Sequence, residues 1–156
     1  GPDDPTNPSE GLMRGLQASS AGGVLRMNGY VVFDREVLVR VGDLVAADRS
    51  FVSVNTAKVS DEEVKYTTDA DGFINELSKT VVGGFGEAVG INYISSTDKA
   101  TLLRHLTRVG DQDYFERGIE TAIAHDKLRV EPVNISDLYA VEIDFAEDLE
   151  RANLFV

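Results

Sequence analysis

The segment 141–152 carries the residues whose types and spacing could do chemistry. It reads VEIDFAEDLERA, an alternating apolar strand that ends at Asp144 and runs into an acidic helix start. An aspartate at the end of a strand and beside a helix N-terminus can hold a divalent metal against a phosphate. Glu142 lies two residues earlier on the same strand face, where it could support the metal or be solvated. The alternative is an ordinary strand-to-helix turn with Asp144 or Glu147 near a cap.

The size and composition indicate one folded domain. A chain of 156 residues buries roughly 70% of the surface that its unfolded form exposes. Residues 1–10 form a polar, Pro-rich leader that we expect to be flexible, with Gly1-Pro2 resembling the remnant of a tag, and the domain is expected to span residues 11–156. The sequence has no signal peptide, no apolar run long enough to span a membrane and no cysteine, which favours a cytoplasmic location.

The charge balance limits the partners. The net charge is −12, from 15 Lys and Arg against 27 Asp and Glu. Nucleic-acid binding needs a basic face, so DNA and RNA are not expected partners. An acidic protein that binds a small phosphorylated ligand needs metal ions and a few well-placed Lys or Arg residues to offset the repulsion.

Hydrophobic periodicity predicts strands separated by helices, with a hairpin inserted in the middle. The predicted strands cover 30–33, 50–54, 63–67, 73–78, 89–94, 128–133 and 139–145. The predicted helices cover 11–18, 95–109, 114–125 and 146–152, and a further one with apolar residues at 37, 38 and 41 is capped by Asp34. The turn at 69–72 joins the two hairpin strands. The predicted fold class is therefore α/β, with a Rossmann-like mixed sheet.

The order of several motifs resembles the nucleotidyltransferases that make sugar-nucleotides and CMP-alcohols. The motifs are NGYVVFD at 28–34, EVK at 63–65, ELSK at 76–79, VGI at 89–91, YFE at 114–116 and VEIDFAEDLERA at 141–152. The sequence is most similar to cytidylyltransferases of the phosphocholine and phosphonate type, including those fused to phosphoenolpyruvate mutase in fosfomycin biosynthesis. The resemblance covers about residues 6–156, is strongest at 139–152, and implies a fold of the nucleotide-diphospho-sugar transferase type.

The resemblance implies transfer of CMP from CTP to a phosphonate or phosphate acceptor, such as 2-hydroxyethylphosphonate, with release of pyrophosphate and with Mg²⁺ as cofactor. It places the family's metal-binding aspartate on Asp144. It also implies that Lys65 and Lys79 approach the acceptor anion and that Glu116 faces the acceptor. Without the resemblance, a strand lysine is usually an edge charge, and a glutamate in the first turn of a helix interacts with the helix dipole.

One further candidate site residue, Asn7, is implied by the resemblance alone. Asn7 matches a family loop that enters the helix before the metal strand. The in-line displacement needs no side-chain nucleophile, so no catalytic residue is assigned.

Two departures from the family pattern leave other functions open. The family begins with a strand and a Gly-rich phosphate loop, and nothing like that loop occurs in this sequence, which resembles the later two thirds of the domain. In the family a second aspartate binds the metal where Tyr30 stands here, and a phenol is a poor Mg²⁺ ligand at neutral pH. The alternatives are a non-catalytic or degenerate domain in assembly or regulation, and a sugar-1-phosphate nucleotidyltransferase. We also expect self-association or association with the missing N-terminal part.

Two smaller groups of residues complete the expectations. The glycines that crowd residues 83–90 are expected to let the backbone turn sharply or approach a ligand. His105 and His125 lie on predicted helices without the spacing of metal ligands, and they are expected at the surface or at helix caps.

Overall fold

The computed structural model describes residues 22–28, 31–106 and 114–142. These residues form eight strands and three helices. In chain order they are β1 Val24–Met27, β2 Val31–Phe33, α1 Arg35–Ala46, β3 Phe51–Asn55, β4 Lys65–Thr68, β5 Ile74–Ser78, β6 Gly86–Ile94, α2 Lys99–Leu106, α3 Tyr114–Asp126, β7 Glu131–Asn134 and β8 Ala140–Glu142. The alternation of strands and helices agrees with the predicted α/β class.

The main sheet is mixed and has six strands. Five of them follow the order β5-β4-β6-β3-β7, and β1 pairs with β6 beside this path. Among the strands of this sheet that the structure describes, the β3–β7 pair is parallel and the other pairs are antiparallel. Strands β2 and β8 form a separate antiparallel ribbon.

Strand β6 is the centre of the sheet, because it is long enough to pair with three other strands. Its start pairs with β4 through Gly86 and Glu87, and its end pairs with β1 through Ile91 to Ile94. Its other edge pairs with β3 along most of its length. Gly90 lies between the two halves with φ +88°, a backbone conformation that favours glycine.

The two faces of the sheet have separate cores. Helices α2 and α3 cover one face, where Val52, Leu77 and Ile94 pack against Leu102 and Phe115. Helix α1 and the β2–β8 ribbon cover the other face. The residues that pack there include Val37 and Val41 from α1 and Phe51, Ile91 and Tyr93 from the sheet. Alternate residues of β6 therefore point into different cores, as strand geometry requires.

Local sequence signals explain two elements. Asp34 caps α1, because its carboxylate accepts a hydrogen bond from the backbone N–H of Glu36 at 3.0 Å. In the hairpin turn, Asp69 Oδ1 accepts hydrogen bonds from the backbone N–H groups of Asp71 and Phe73, and Gly72 adopts φ +87°. The predicted cap and the predicted hairpin are both confirmed.

The first predicted strand differs from the structure. Residues 24–27 form a strand of the main sheet, whereas 31–33 leave that sheet and pair with β8. Strand β6 begins at Gly86 rather than at 89, so the glycine-rich segment belongs partly to the strand. The predicted helices at 11–18 and 146–152 lie outside the described residues.

None of the helices in the described ranges is long and apolar enough to cross a membrane. The cytoplasmic location and any self-association stay predictions.

Asp48 links the end of α1 to the loop after β6, and it should make the stability of the fold depend on pH in the acidic range. Its carboxylate accepts hydrogen bonds from the Ser96 hydroxyl, from Ser96 N at 2.9 Å and from Tyr93 Oη at 2.8 Å. These hydrogen bonds lower the pKa of Asp48, and the bond from the Ser96 hydroxyl has the largest effect. A lowered folded-state pKa contributes stability above the unfolded pKa of about 3.9, and that stability is lost as the pH falls through the folded value. We expect Asp48→Asn to flatten the loss of stability below about pH 4, measured by urea unfolding at several pH values.

Ser96→Ala is the control for this prediction. It removes the hydrogen bond that has the largest effect on the pKa of Asp48. It should therefore flatten the same part of the pH profile, but less than Asp48→Asn does. An Asp48→Asn profile parallel to that of the unmodified protein would contradict the role of Asp48.

Candidate functional site

The carboxyl ends of the parallel strands β3 and β7 lie side by side at one edge of the sheet, where open α/β sheets bind ligands. Four polar residues meet there. Thr56 N donates to Ser136 Oγ at 2.8 Å, and the two hydroxyl oxygens are 2.9 Å apart. Asn134 Oδ1 accepts from Ser136 N at 2.9 Å, and Asn55 Oδ1 accepts from Ala57 N at 2.9 Å. The edge is therefore a rim of neutral donors and acceptors that the sequence analysis did not identify.

The guanidinium group of Arg26 is held near the end of β1. The guanidinium carbon of Arg26 lies 4.5 Å from the ring centroid of Phe115, and its Nη1 donates to Asn28 Oδ1 at 2.5 Å. Asn28 N donates to the carbonyl of Gly90 at 2.8 Å. A Cβ atom at position 90 would lie 3.1–3.3 Å from the Asn28 side chain, so this approach needs glycine. This close approach at Gly90 is to Asn28 of the same chain, and the predicted approach of the glycine-rich segment to a ligand stays a prediction.

Asn92 adds a buried acceptor on the same side of the sheet. It is the cross-strand partner of Arg26 and is only 1% exposed. Its Oδ1 atom has no hydrogen-bond partner in the part of the chain that the structure describes. Most buried acceptors are bonded to protein or to ordered water, so an ordered water would account for this atom.

The β2–β8 ribbon brings two distant parts of the chain together. Val31 pairs with Glu142, and Asp34 N donates to Tyr139 O at 2.8 Å at the other end of the ribbon. In this antiparallel register, Val31 and Glu142 lie opposite each other at one end of the ribbon.

Arg40 ties helix α1 to the connection that enters this ribbon. Its guanidinium forms a bidentate ion pair with Asp137, with Nη2 to Oδ2 at 2.8 Å, and donates to Asn134 O at 3.1 Å. The hydrogen bond between them raises the pKa of Arg40 and lowers the pKa of Asp137. Both side chains are exposed, so this pair fixes geometry more than it adds stability.

Three of the predicted site residues have described side chains. Lys65 in β4 is buried, and its Nζ donates to the carbonyl of Lys79 at 2.7 Å. The Lys79 side chain itself is exposed just beyond β5. Glu116 is half-buried in the first turn of α3, next to Phe115. The hairpin therefore brings the Lys65 side chain to the backbone of Lys79, while Glu116 lies on another element, at the start of α3.

The other predicted site residues fall at or beyond the described ranges. Glu142 is the last residue of β8, and the structure does not describe its side chain. Asp144, Asn7 and Tyr30 lie outside the described residues. Within the described residues no group of three or more His, Asp or Glu side chains could hold a metal ion. The predicted roles of these residues stay predictions.

His105 differs from its predicted surface position. It is buried between α2 and α3, where its ring stacks on His125 with centroids 6.0 Å apart. Its Nε2 lies 2.5 Å from Asp126 Oδ2, and this hydrogen bond lowers the pKa of the aspartate. A polar partner on the neighbouring helix lets the imidazole be buried, and the helical spacing of His105 alone did not reveal that partner.

No protein-family model and no curated protein sequence matches the chain. Solved structures do match it. The inositol-1-phosphate CTP transferase from T. maritima has a TM-score of 0.70 at 11% identity, covering 96% of this chain and 61% of that one. The CTP:phosphocholine cytidylyltransferase from Streptococcus pneumoniae has a TM-score of 0.68 at 11% identity, covering 96% and 64%. The UTP-bound UGPase from Acinetobacter baumannii has a TM-score of 0.66 at 10% identity, covering 97% and 56%.

At these identities the likeness shows the fold. The predicted fold class, a Rossmann-like mixed α/β sheet with an inserted hairpin of the nucleotidyltransferase type, is confirmed. The structural neighbours are nucleotidyltransferases. This chain spans 56–64% of the length of the three structures, so the boundaries predicted for the domain are not tested by them.

Proposed function

We propose that this chain belongs to a cytidylyltransferase that transfers CMP from CTP to a phosphonate or phosphate acceptor, such as 2-hydroxyethylphosphonate, and releases pyrophosphate. The observation that carries the proposal is the superposition with two CTP transferases along nearly the whole chain. The acceptors in their names, inositol 1-phosphate and phosphocholine, are both phosphate monoesters. The motifs of the sequence support the same class of reaction.

The reaction is an in-line displacement at the α-phosphorus of CTP. An acceptor oxyanion forms the new P–O bond, and the bond to the β-phosphate oxygen breaks as pyrophosphate leaves. The work of the protein is to position the reactants and to offset their charge. Lys79 is an exposed cation at the end of the hairpin and would orient the acceptor anion. Glu116 would contact the alcohol or amine end of the acceptor, and Asn7 would contribute from its loop.

Asp144, supported by Glu142, would hold Mg²⁺. Carboxylate oxygens are the ligands that this ion prefers, and when bound it neutralises charge on the phosphates. The β2–β8 register supports this assignment, because Val31 and Glu142, which lie one and two residues in sequence from the family's two metal positions, are cross-strand partners. Tyr30 stands at one of those positions, so Asp144 would provide the main protein contact to the metal.

Calorimetric titration of the 156-residue chain with CTP tests the proposal. We expect heat of binding in MgCl₂ that is lost in EDTA. Asp144→Asn should weaken Mg²⁺-dependent binding at least tenfold, which corresponds to about 1.4 kcal/mol. Asp148→Asn, an acidic neighbour without an assigned role, should leave binding unchanged. Equal affinities for Asp144→Asn and the unmodified chain would overturn the role of Asp144.

Two other functions have specific support. A UTP-bound structure among the neighbours supports a sugar-1-phosphate nucleotidyltransferase, and tighter binding of UTP than of CTP would favour it. Tyr30, which stands where the family has a metal-binding aspartate, supports a non-catalytic domain in assembly or regulation. Tight binding of either nucleotide in MgCl₂ would exclude that second alternative.

A further inference from the structure

Two opposite charges are buried side by side in neighbouring strands of the sheet. Lys65 of β4 is 4% exposed and Glu87 of β6 is 8% exposed. The two are cross-strand partners in the antiparallel β4–β6 pair, so their side chains lie on the same face of the sheet. Burying a charge is costly unless hydrogen bonds satisfy it, so the partners of these two groups reveal what they do.

The ammonium of Lys65 is surrounded by backbone carbonyls. Its Nζ lies 2.7 Å from Lys79 O, 3.0 Å from Glu63 O, 3.2 Å from Ser60 O and 3.3 Å from Asp61 O. An ammonium has three N–H donors, and the four carbonyls use all of them. No donor remains for a ligand in this geometry.

The carboxylate of Glu87 binds the same loop from the other side. Its Oε2 accepts hydrogen bonds from Ser60 N at 2.7 Å and from Ser60 Oγ at 2.5 Å. Lys65 therefore holds the carbonyl of Ser60, while Glu87 holds its N–H and hydroxyl. Residue 84 must be glycine for this packing, because a Cβ atom there would lie 2.9 Å from Lys65 Cβ.

The segment fixed in this way is exposed and has no regular structure of its own. Loop 56–64 runs from the carboxyl end of β3 to the start of β4 and is solvent-exposed along most of its length. The same ammonium also fixes the backbone of Lys79, whose exposed side chain makes no ion pair within the described residues. The two lysines of the hairpin therefore have different surroundings.

We propose that Lys65 is a positioning residue that, together with Glu87, holds loop 56–64 and the backbone of Lys79, and that Lys79 is the hairpin lysine that meets the acceptor anion. The second half of this statement rests on the proposed function, whereas the first half does not. The two lysines, for which the sequence predicted one shared role, thus have different roles.

Hydrogen exchange and anion binding on the full 156-residue chain test the two halves separately. We expect Lys65→Met to accelerate amide exchange in loop 56–64 at least tenfold, with Ser60 most affected, while the amides of β3 keep their protection. Lys79→Met should leave exchange in the loop within twofold. With 2-hydroxyethylphosphonate as the probe in an NMR titration, Lys79→Met should weaken binding at least tenfold, and Lys65→Met should weaken it only three- to fivefold.

If Lys65→Met does not fold, Glu87→Gln tests the same positioning role. This substitution keeps the shape of the side chain and should also accelerate amide exchange at Ser60. Unchanged loop exchange in the folded variants would overturn the positioning role. Loss of anion binding in Lys65→Met as large as in Lys79→Met, with the loop still protected, would make Lys65 a direct ligand and would also overturn it. If the unmodified chain does not bind the probe, the acceptor role of Lys79 fails, and the exchange data still decide the role of Lys65.

Discussion

An alanine at position 86 is expected to destabilise the protein by about 3 kcal/mol, the upper part of the range for overpacking a well-packed interior. Its Cβ atom would lie 2.5 Å from Asn55 O and 2.9 Å from Thr56 Cα. Both atoms belong to the backbone of β3 and the turn after it, so no flexible side chain can move aside. Gly86 also pairs with β4, which leaves β6 no free side toward which it could shift.

Urea unfolding with comparison of midpoints and m-values measures this effect. Gly42→Ala is the matched control, because the same added methyl group would meet no atom within 4 Å on the exposed side of α1. It should stabilise the protein by about 0.5–1 kcal/mol through the higher helix propensity of alanine. A Gly86→Ala variant as stable as the unmodified protein would mean that β3 and β6 can separate at little cost.

Truncation of Phe115 to alanine is expected to cost about 3–5 kcal/mol. The ring is 1% exposed in the core between the sheet and helices α2 and α3. Its loss would leave a cavity and would also remove the surface on which the Arg26 guanidinium rests. Phe115→Leu retains most of the apolar volume and should cost less than about 1.5 kcal/mol.

A double-mutant cycle with Arg26→Met separates the cavity from the cation–π contact. We expect a coupling free energy of about 0.5–1 kcal/mol between Arg26 and Phe115, measured by urea unfolding of the two single variants and the double variant. Additive effects within about 0.3 kcal/mol would mean that the guanidinium gains nothing from the ring. A loss below 1 kcal/mol for Phe115→Ala would show that the core collapses around the missing ring.

The elements that the sequence predicted well are those with local causes. The hairpin follows from a turn whose Asp69 bonds its own loop and whose Gly72 adopts positive φ. The start of α1 follows from the Asp34 cap two residues before its bonded N–H group. Neither inference required knowledge of a distant partner.

The errors concern partners that are distant in sequence. Apolar residues lie on both sides of Asn28-Gly29 in the segment from Val24 to Phe33, and nothing in it indicates that its two halves pair with different strands, β6 and β8. The burial of Lys65 was not predicted for a different reason, because most of the carbonyls around it come from the preceding loop, two to five residues away, whose path no periodicity describes. His105 lacked a visible partner because Asp126 lies 21 residues away on another helix.

The polar rim at the sheet edge was missed for the same reason. Thr56 and Ser136 are 80 residues apart, and neither belongs to a recognisable motif. The roles that the family resemblance implies for Lys79 and Glu116 stay predictions, and the structure describes these residues just beyond β5 and at the start of α3.

The single parallel pairing of the sheet has a consequence for how the protein folds. Residues 51–54 of β3 meet residues 131–134 of β7, and strands β4, β5 and β6 are formed by the chain between them. Closing so long a loop costs conformational entropy before any contact compensates for it, and such non-local pairings slow folding. The rim formed by Thr56 and Ser136 exists only after this closure. A ligand that binds at that edge would therefore bind only the completed sheet, and it would stabilise the folded protein by holding the ends of β3 and β7 together.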